Sequence, residues 1–216
     1  MSEFSFDTIL NFDNHISGSI KGYILLDDLI VNISSFFAKR GERIIDFGCT
    51  SGRLISKLAT LHPDCSCMGF DITDHNFIEN SQAILQKTDI TSNEFIIPSC
   101  NLALSVFTLQ FLSYTDRVQF IKRIYEALNP AGAFIVCEKE ISRDGQIQEV
   151  MTFANYDYKK GNFSANEILA KENDLRKIMN CLRFGENENL LKTVIGFKTV
   201  EPFFQSLNFR GWICIK

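Results

Sequence analysis

Four residues in the first third of the chain have the types and spacing to hold a nucleotide: Asp46, Gly48, Gly52 and Asp71. Cys49, Thr50 and Ser51 lie between the two glycines, so the stretch is a turn of small residues through which backbone N–H groups can approach a ligand closely. Asp71 stands 23 positions after Gly48. An acid at about that separation, at the end of the next strand, is where a ribose hydroxyl pair is gripped. A carboxylate suits the task because it accepts both hydroxyl hydrogens at once. An isolated Asp at a strand end is an ordinary turn or cap residue; the glycine turn upstream makes ribose binding the better reading. The dinucleotide fingerprint would read G-x-G-x-x-G, whereas this chain reads D-x-G-x-x-x-G.

The flanking residues say which elements position this turn. Ile44 and Ile45 run into Asp46 as a short buried strand, and Leu54, Ile55, Leu58 and Leu61 follow at helical spacing. Upstream, Leu26, Leu29, Ile30, Ile33, Phe36 and Phe37 predict a helix from Gly22 that stops at Lys39-Arg40-Gly41. Phe6, Ile9, Leu10 and Asp13 suggest a shorter amphipathic piece before it. Downstream, the pattern predicts a strand over Cys65–Phe70, a short helix over Asn76–Leu85, and strands over Leu85–Ile90 and Asn101–Phe107. Ser113-x-x-Asp116 then reads as a helix cap before Val118, Ile121, Ile124, Tyr125 and Leu128. Asn129 to Gly132 reads as a turn and Ala133–Cys137 as a fifth strand. The chain is helical and polar from 142 to 192, and Phe197–Gln205 with Gly211–Lys216 close it as a strand pair. Alternating strands and helices predict an α/β, Rossmann-like fold with a mostly parallel sheet and helices on both faces. Residues 1–216 are expected to form one domain, with N-terminal helices in 1–40 and the 142–192 insert over the carboxyl ends of the strands.

Composition narrows the function. Of 216 residues, 45% are hydrophobic and 22% charged, an ordinary globular balance. The formal net charge of −4 lacks the basic surplus of a freestanding nucleic-acid binder, so no direct nucleic-acid partner is expected. Seven cysteines, no signal-like start and no apolar stretch of membrane-spanning length point to a cytoplasmic protein with reduced thiols and no membrane partner. Cys65 and Cys67 form C-x-C in an expected strand, without a second Cys/His pair at ligand spacing, and no metal is expected. The 20 phenylalanines suggest an aromatic core or pocket rather than a reaction.

With the glycine turn resembling the first motif of class I S-adenosylmethionine (SAM) enzymes, a longer set of motifs becomes specific. Ser19-Ile20-Lys21-Gly22-Tyr23, Asp46-Phe47-Gly48-Cys49, Phe107-Thr108-Leu109-Gln110-Phe111-Leu112, Leu128-Asn129-Pro130, Glu138-Lys139 and the closing Phe203 to Phe209 together resemble the carboxy-SAM synthase family, from about Phe12 to Lys216. That resemblance implies a class I methyltransferase fold, SAM as cofactor (or S-adenosylhomocysteine as product), and a homodimer. In the family, SAM and prephenate become carboxy-SAM for modification of a tRNA wobble uridine, with a partner enzyme touching the tRNA. By position it implies Tyr23 against the methionyl end, Gly48 contacting it through the backbone of the Asp46–Cys49 loop, Asp71 and Ile72 at the ribose, Asp89 and Ile90 at the adenine, and Val106 on the cofactor wall.

The departures matter as much. Lys21 stands where the family has Pro, and Val106 where it has a cofactor-contacting Asn. Anchoring on Ile168, Lys171, Leu175, Ile178 and Met179 puts Glu172 at the position of the Arg that grips the carboxylate of carboxy-SAM. Two carboxylates about 4 Å apart repel by roughly 4 kcal/mol at an effective dielectric near 20. Glu172 is thus a candidate catalytic or specificity residue, against the alternative that Glu172 and Arg176 are a surface ion pair on a helix. Three functions follow: a SAM-dependent methyltransferase acting on a small molecule, a divergent carboxy-SAM synthase with Lys159, Lys160 or Arg176 as the compensating cation, or a non-catalytic binding subunit.

Overall fold

Ile44 and Ile45, both fully buried, open the central strand of the protein, seen here in a computed structural model that describes residues 12–74, 76–79 and 81–216. That strand, β1 (Arg43–Phe47), pairs in parallel with β2 (Ser66–Asp71) on one side and β4 (Cys100–Val106) on the other. β3 (Ile84–Lys87) extends the sheet beyond β2, and β5 (Leu128–Lys139) beyond β4, both in parallel. β7 (Phe209–Ile215) and β6 (Thr199–Ser206) close it as an antiparallel pair, giving the order β3-β2-β1-β4-β5-β7-β6. The mostly parallel class I methyltransferase-type sheet expected from the sequence is therefore present.

Both faces are covered, so the central strands read as continuous apolar runs while their side chains still alternate. Ile45, Ala103, Phe134 and Val136 point into one core with Phe120, Ile121 and Ile124 of α4 (Tyr114–Ala127). Ile44, Leu102, Leu104 and Ile135 point into the other with Leu26 and Ile30 of α2 (Tyr23–Ser34) and Leu54, Ile55 and Leu58 of α3 (Arg53–Leu61). The aromatic excess is partly spent in the first core. There Phe47 meets Phe120 edge-on at 5.1 Å, and Phe70 meets Phe95 at 4.9 Å. α1 (Phe12–Ser19) precedes α2. Between β5 and β6 run α5 (Gly145–Lys159), α6 (Ala165–Ile178), the short α7 (Glu186–Asn189) and a π-helical turn, Leu190–Ile195.

Several expectations need correction. The described residues between Asn76 and Leu85 form turns rather than a helix. Ile78 N–H donates to the Ser51 carbonyl and Ser81 bonds Ser56, so this polar stretch spends its hydrogen bonds on the glycine loop and α3. The third strand starts one residue earlier and ends at Lys87, leaving Asp89 and Ile90 in the loop beyond it. The helix expected to reach Phe37 ends at Ser34, whose hydroxyl donates to the Val31 carbonyl at 2.6 Å, and Phe36 is 80% exposed. Asn129 to Gly132 is a kink inside β5, with Ala131 at φ 60°, rather than a turn between elements. Cys65 precedes β2. The piece around Phe6, Ile9 and Leu10 lies outside the described residues.

The glycine loop is held by close packing. Gly48 has φ +76°, and a Cβ there would fall inside the Thr108 side chain. Left-handed backbone costs an L-residue about 1–2 kcal/mol, and overpacking adds about 1–3. Gly48→Ala is expected to lower unfolding free energy in urea by about 3 kcal/mol. Gly145→Ala, with open space around its Cβ and ordinary φ, should leave it unchanged or raise it by up to about 1.

Candidate functional site

The carboxyl ends of β1, β2, β4 and β5 open into one cavity of about 550 Å³, a size suited to a nucleoside-bearing small molecule. Ten residues singled out from the sequence line it, Tyr23, Asp46, Gly48, Cys49, Asp71, Ile72, Asp89, Ile90, Val106 and Glu172, whereas Gly52, Lys160 and Arg176 do not. One wall is the glycine loop, a second is α1 with the start of α2, and the roof comes from β5, α5 and α6.

The floor is acidic. Asp71 Oδ2 accepts from Thr50 N–H at 2.8 Å and Oδ1 from Thr73 N–H at 3.1 Å. The first of these bonds explains Thr50, which stands where related loops carry a middle glycine. It takes φ +49° despite its branched side chain, and the bond to Asp71 helps hold it there. Asp46 is 3% exposed and, among the described residues, has no hydrogen-bond partner for its side chain. Burial, then the Asp71 and Asp27 carboxylates, push its pKa up to about 7 against a weaker pull from Arg53. A buried acceptor facing a cavity with nothing donating to it is fitted to a ligand cation. Beyond β3, Asp89 Oδ1 accepts from Thr91 N–H at 2.9 Å and from its hydroxyl at 2.6 Å, which lowers its pKa. Of the two isoleucines lining the cavity, Ile72 is exposed and Ile90 buried.

An ion-pair network fastens the N-terminal wall. Arg53, at the first position of α3, grips Asp27 of α2 in bidentate fashion at 2.8 and 3.0 Å, and its Nε donates to Asp13 of α1 at 3.0 Å. Lys57 also pairs with Asp27, and Ser51 Oγ donates to Asp13 at 3.1 Å. The same guanidinium lies 5.8 Å from the Tyr23 ring centre, and burial pushes the Tyr23 phenol up to about 12. Nothing local in the sequence signals this network, because its partners are 26 and 40 residues apart.

The roof is basic, with one acid inside it. Glu172 is 6% exposed; its Oε1 accepts from Lys159 Nζ at 2.8 Å, and Lys139 Nζ lies 3.9 Å from Oε2. Burial raises the Glu172 pKa, but Lys139 and Lys159 outweigh it and hold the carboxyl below its ordinary value. The surface-pair reading is thus replaced: Glu172 lines the cavity and pairs with Lys159, and Arg176 acts on it only as the smallest of the charges that lower its pKa. The repulsion argument also changes form, since this carboxylate is matched by lysines. Of the cations suggested from sequence, Lys159 is in the cavity, while Lys160 is exposed and pairs with Asp157 at 2.7 Å. Lys139 and Lys171 also line the roof, and Lys171 is hydrogen-bonded to His15 Nε2 of α1. Sequence reasoning used Lys139 and Lys171 only as motif and alignment markers, and no motif drew attention to His15. Behind the roof, Glu138 accepts from Leu109 N–H at 3.0 Å, and burial pushes it up to about 8.

The fold and this strand-end cavity define a class I methyltransferase-type protein. Residues 38–186, more than half of the chain, match the methyltransferase-domain family, and the chain belongs to that family of SAM-dependent transferases. Among curated proteins it is 27% identical to a carboxy-S-adenosyl-L-methionine synthase of Staphylococcus epidermidis, over 97% of this chain and 94% of that one. It is 29% identical to the synthase of Shewanella oneidensis, over 100% and 94%. It is a divergent relative of those enzymes. Among solved structures it superposes on the plantazolicin methyltransferase BpumL, crystallised with an azole substrate analogue and S-adenosylhomocysteine, with a TM-score of 0.67 at 13% identity, covering 95% of this chain and 87% of that one. Human N-acetylserotonin methyltransferase in complex with SAM gives 0.56 at 16% identity; 88% of this chain matches 55% of that longer one.

The Asp46 environment has a measurable consequence. Its folded pKa near 7 lies above the unfolded value near 3.8, so the unfolded chain releases this proton first as pH rises. Stability should therefore fall between about pH 4 and pH 7, by an amount on the order of 4 kcal/mol. Asp46→Asn is expected to raise the melting temperature of the ligand-free protein at pH 8 and to change it little at pH 4.5, by scanning calorimetry at both pH values.

Proposed function

We propose that this protein binds SAM in the strand-end cavity and transfers its methyl group to a small-molecule acceptor. Asp71 takes the ribose hydroxyls, Ile72 and Ile90 flank the adenine beside Asp89, and the methionyl end lies along Gly48, Cys49 and Val106 under Tyr23. Asp46 supplies the carboxylate for the ligand ammonium, which returns that buried acid to its charged form. SAM supplies a methyl group on a sulfonium; the chain's part is alignment and exclusion of water. Phe107 and Phe209, edge-to-face at 5.4 Å, line the cavity and keep it dry beside the transferable carbon.

The observation that carries the methyl-transfer reading is the Lys159–Glu172 pair inside the cavity. A carboxylated cofactor needs a cation for its added carboxylate, and here the protein's own carboxylate occupies Lys159. The second reading, a divergent carboxy-SAM synthase, draws on the full-length similarity to enzymes of that name and on Lys139, which shares Glu172 only at 3.9 Å. A purely binding role would fit a degraded loop, whereas Asp46, Gly48, Gly52 and Asp71 are all in place. We further propose a homodimer using α2, whose Ile24 and Leu25 are 57% and 58% exposed while Leu26 and Ile30 face the core.

Native mass spectrometry of the purified protein tests these points together. SAM or S-adenosylhomocysteine bound to a species of twice the chain mass is expected. Bound carboxy-SAM would favour the second reading, and a monomer at micromolar concentration would remove the dimer. Titration of Glu172→Gln adds a sharper test. The amide keeps the shape and frees Lys159, whose charge-assisted bond to a ligand carboxylate is worth about 1.5–3 kcal/mol. The preference for SAM over carboxy-SAM should shrink by about tenfold or more; an unchanged ratio by calorimetry would remove Glu172 from specificity.

A further inference from the structure

Three lysines face the roof of the cavity, and their partners differ. Lys159 of α5 is held by Glu172 at 2.8 Å, and Lys139 of β5 lies 3.9 Å from the same carboxylate. Lys171 of α6 is instead hydrogen-bonded to an imidazole, at His15 Nε2 of α1. Its side chain borders both the main cavity and a smaller one of about 340 Å³ between α1, α5 and α6. The His15 ring is itself wedged against Phe163, with ring centres 4.9 Å apart, so the lysine's partner is fixed in place.

We propose that Lys171, positioned by His15, is the general base that takes the proton from the methyl acceptor. The inference rests on the methyl-transfer reading and adds to it a residue and an acceptor class: a neutral O–H, N–H or S–H nucleophile that must lose a proton as it is methylated. Lys171 lines the same cavity as Asp71 and Asp89 but comes from α6, one helical turn before Leu175, which also lines it, so the base and the ribose-binding acids stand on different elements. The acceptor lone pair forms the new bond to the methyl carbon, and the carbon–sulfur bond breaks with its electron pair staying on sulfur. The acceptor proton moves to the neutral Lys171 amine, and the resulting ammonium is held by His15 until it passes the proton to water.

The surroundings favour this role. Among the described residues, the charged and titratable groups around Lys171 are His15 on α1, Lys159 on α5, Lys139 on β5, and Glu167, Glu172 and Asp174 on α6 itself. Burial and the Lys159 charge lower the Lys171 pKa to about 8 against the opposing pull of Glu172. Burial, then Lys171 and Lys159, lower His15 to about 4, so the imidazole stays neutral and able to accept. Glu172 is a poorer base, since its own pKa is lowered and Lys159 occupies it. A base poised near the working pH contributes about 10²–10⁴-fold.

The test has two readouts. Competitive acetylation with acetic anhydride from pH 6 to 11, read by peptide mass spectrometry on protein loaded with S-adenosylhomocysteine, reports the neutral fraction of each lysine. Lys171 should reach half-reactivity near pH 8, with exposed Lys160 followed in the same digest as the internal reference. His15→Phe, which keeps a ring against Phe163 and removes the acceptor, should move the Lys171 midpoint to lower pH. A Lys171 midpoint near that of Lys160 overturns the proposal. The second readout is label transfer from methyl-tritiated SAM into a filtered small-molecule extract of the cells that make the protein. The wild-type rate should rise about tenfold per pH unit and level off above about 8. Lys171→Met and Lys171→Arg should both lose about 100-fold or more at pH 7, with S-adenosylhomocysteine affinity within about threefold of wild type. Undiminished transfer by Lys171→Arg overturns the base and leaves methyl transfer standing. Absence of transfer by the wild type overturns the methyl-transfer reading itself.

Discussion

A carboxylate and an ammonium, Glu172 and Lys159, face each other at 2.8 Å with each side chain 8% exposed, and the roof of the cavity depends on them. The pair joins α6 to α5 above the strand ends. Such a pair adds little net stability over an apolar substitute, because two charges must leave water; breaking it by removing one partner costs about 3–5 kcal/mol. Its value lies in what it permits beneath it. With Lys159 answered internally, the roof offers less free positive charge to a ligand than three lysines suggest.

Charge is thus segregated within one cavity. Asp46, Asp71 and Asp89 lie along the carboxyl ends of the first three strands, while Lys139, Lys159 and Lys171 reach the same cavity from β5, α5 and α6. The acidic side suits a diol, an exocyclic amine and an ammonium; the basic side holds one carboxylate of its own. Arg53, which itself lines the cavity, braces the acidic side by tying Asp13 of α1 and Asp27 of α2 to the start of α3, and α1 also carries His15, the partner of Lys171. α1 is fastened to the insert as well, with the Tyr158 hydroxyl donating to the Ser17 carbonyl at 2.7 Å.

The strand, turn and helix around Gly48 were readable because their signals are local: β-branched residues, small residues, then helical spacing, all within twenty positions. Asp71 was readable because the length of one βα unit nearly determines its place. The basic roof was not, because Lys139, Lys159 and Lys171 come from three separate elements and His15 from a fourth. Glu172 sat between two readings for the same reason. Its i+4 neighbour Arg176 is visible in the sequence, whereas its true partner Lys159 is 13 positions away across a helix junction. The helix expected after Asn76 failed because Asn and Ser hydrogen-bond locally and to neighbouring loops in preference to a helix ladder. The Asn129–Gly132 turn signal was real but became a bend within β5, since Leu128 pairs with Cys100 before the kink and Ala133 with Leu102 after it.

The central claim is that the protein's own carboxylate, rather than a ligand's, occupies the cationic corner of the cavity. Calorimetric titration of the wild-type protein with SAM and with carboxy-SAM at pH 7 tests it most directly. SAM should bind more than about tenfold tighter, a difference of about 1.4 kcal/mol or more. Equal affinities, or tighter binding of carboxy-SAM, would show that Lys139 and Lys159 remain available to a ligand carboxylate and would contradict it.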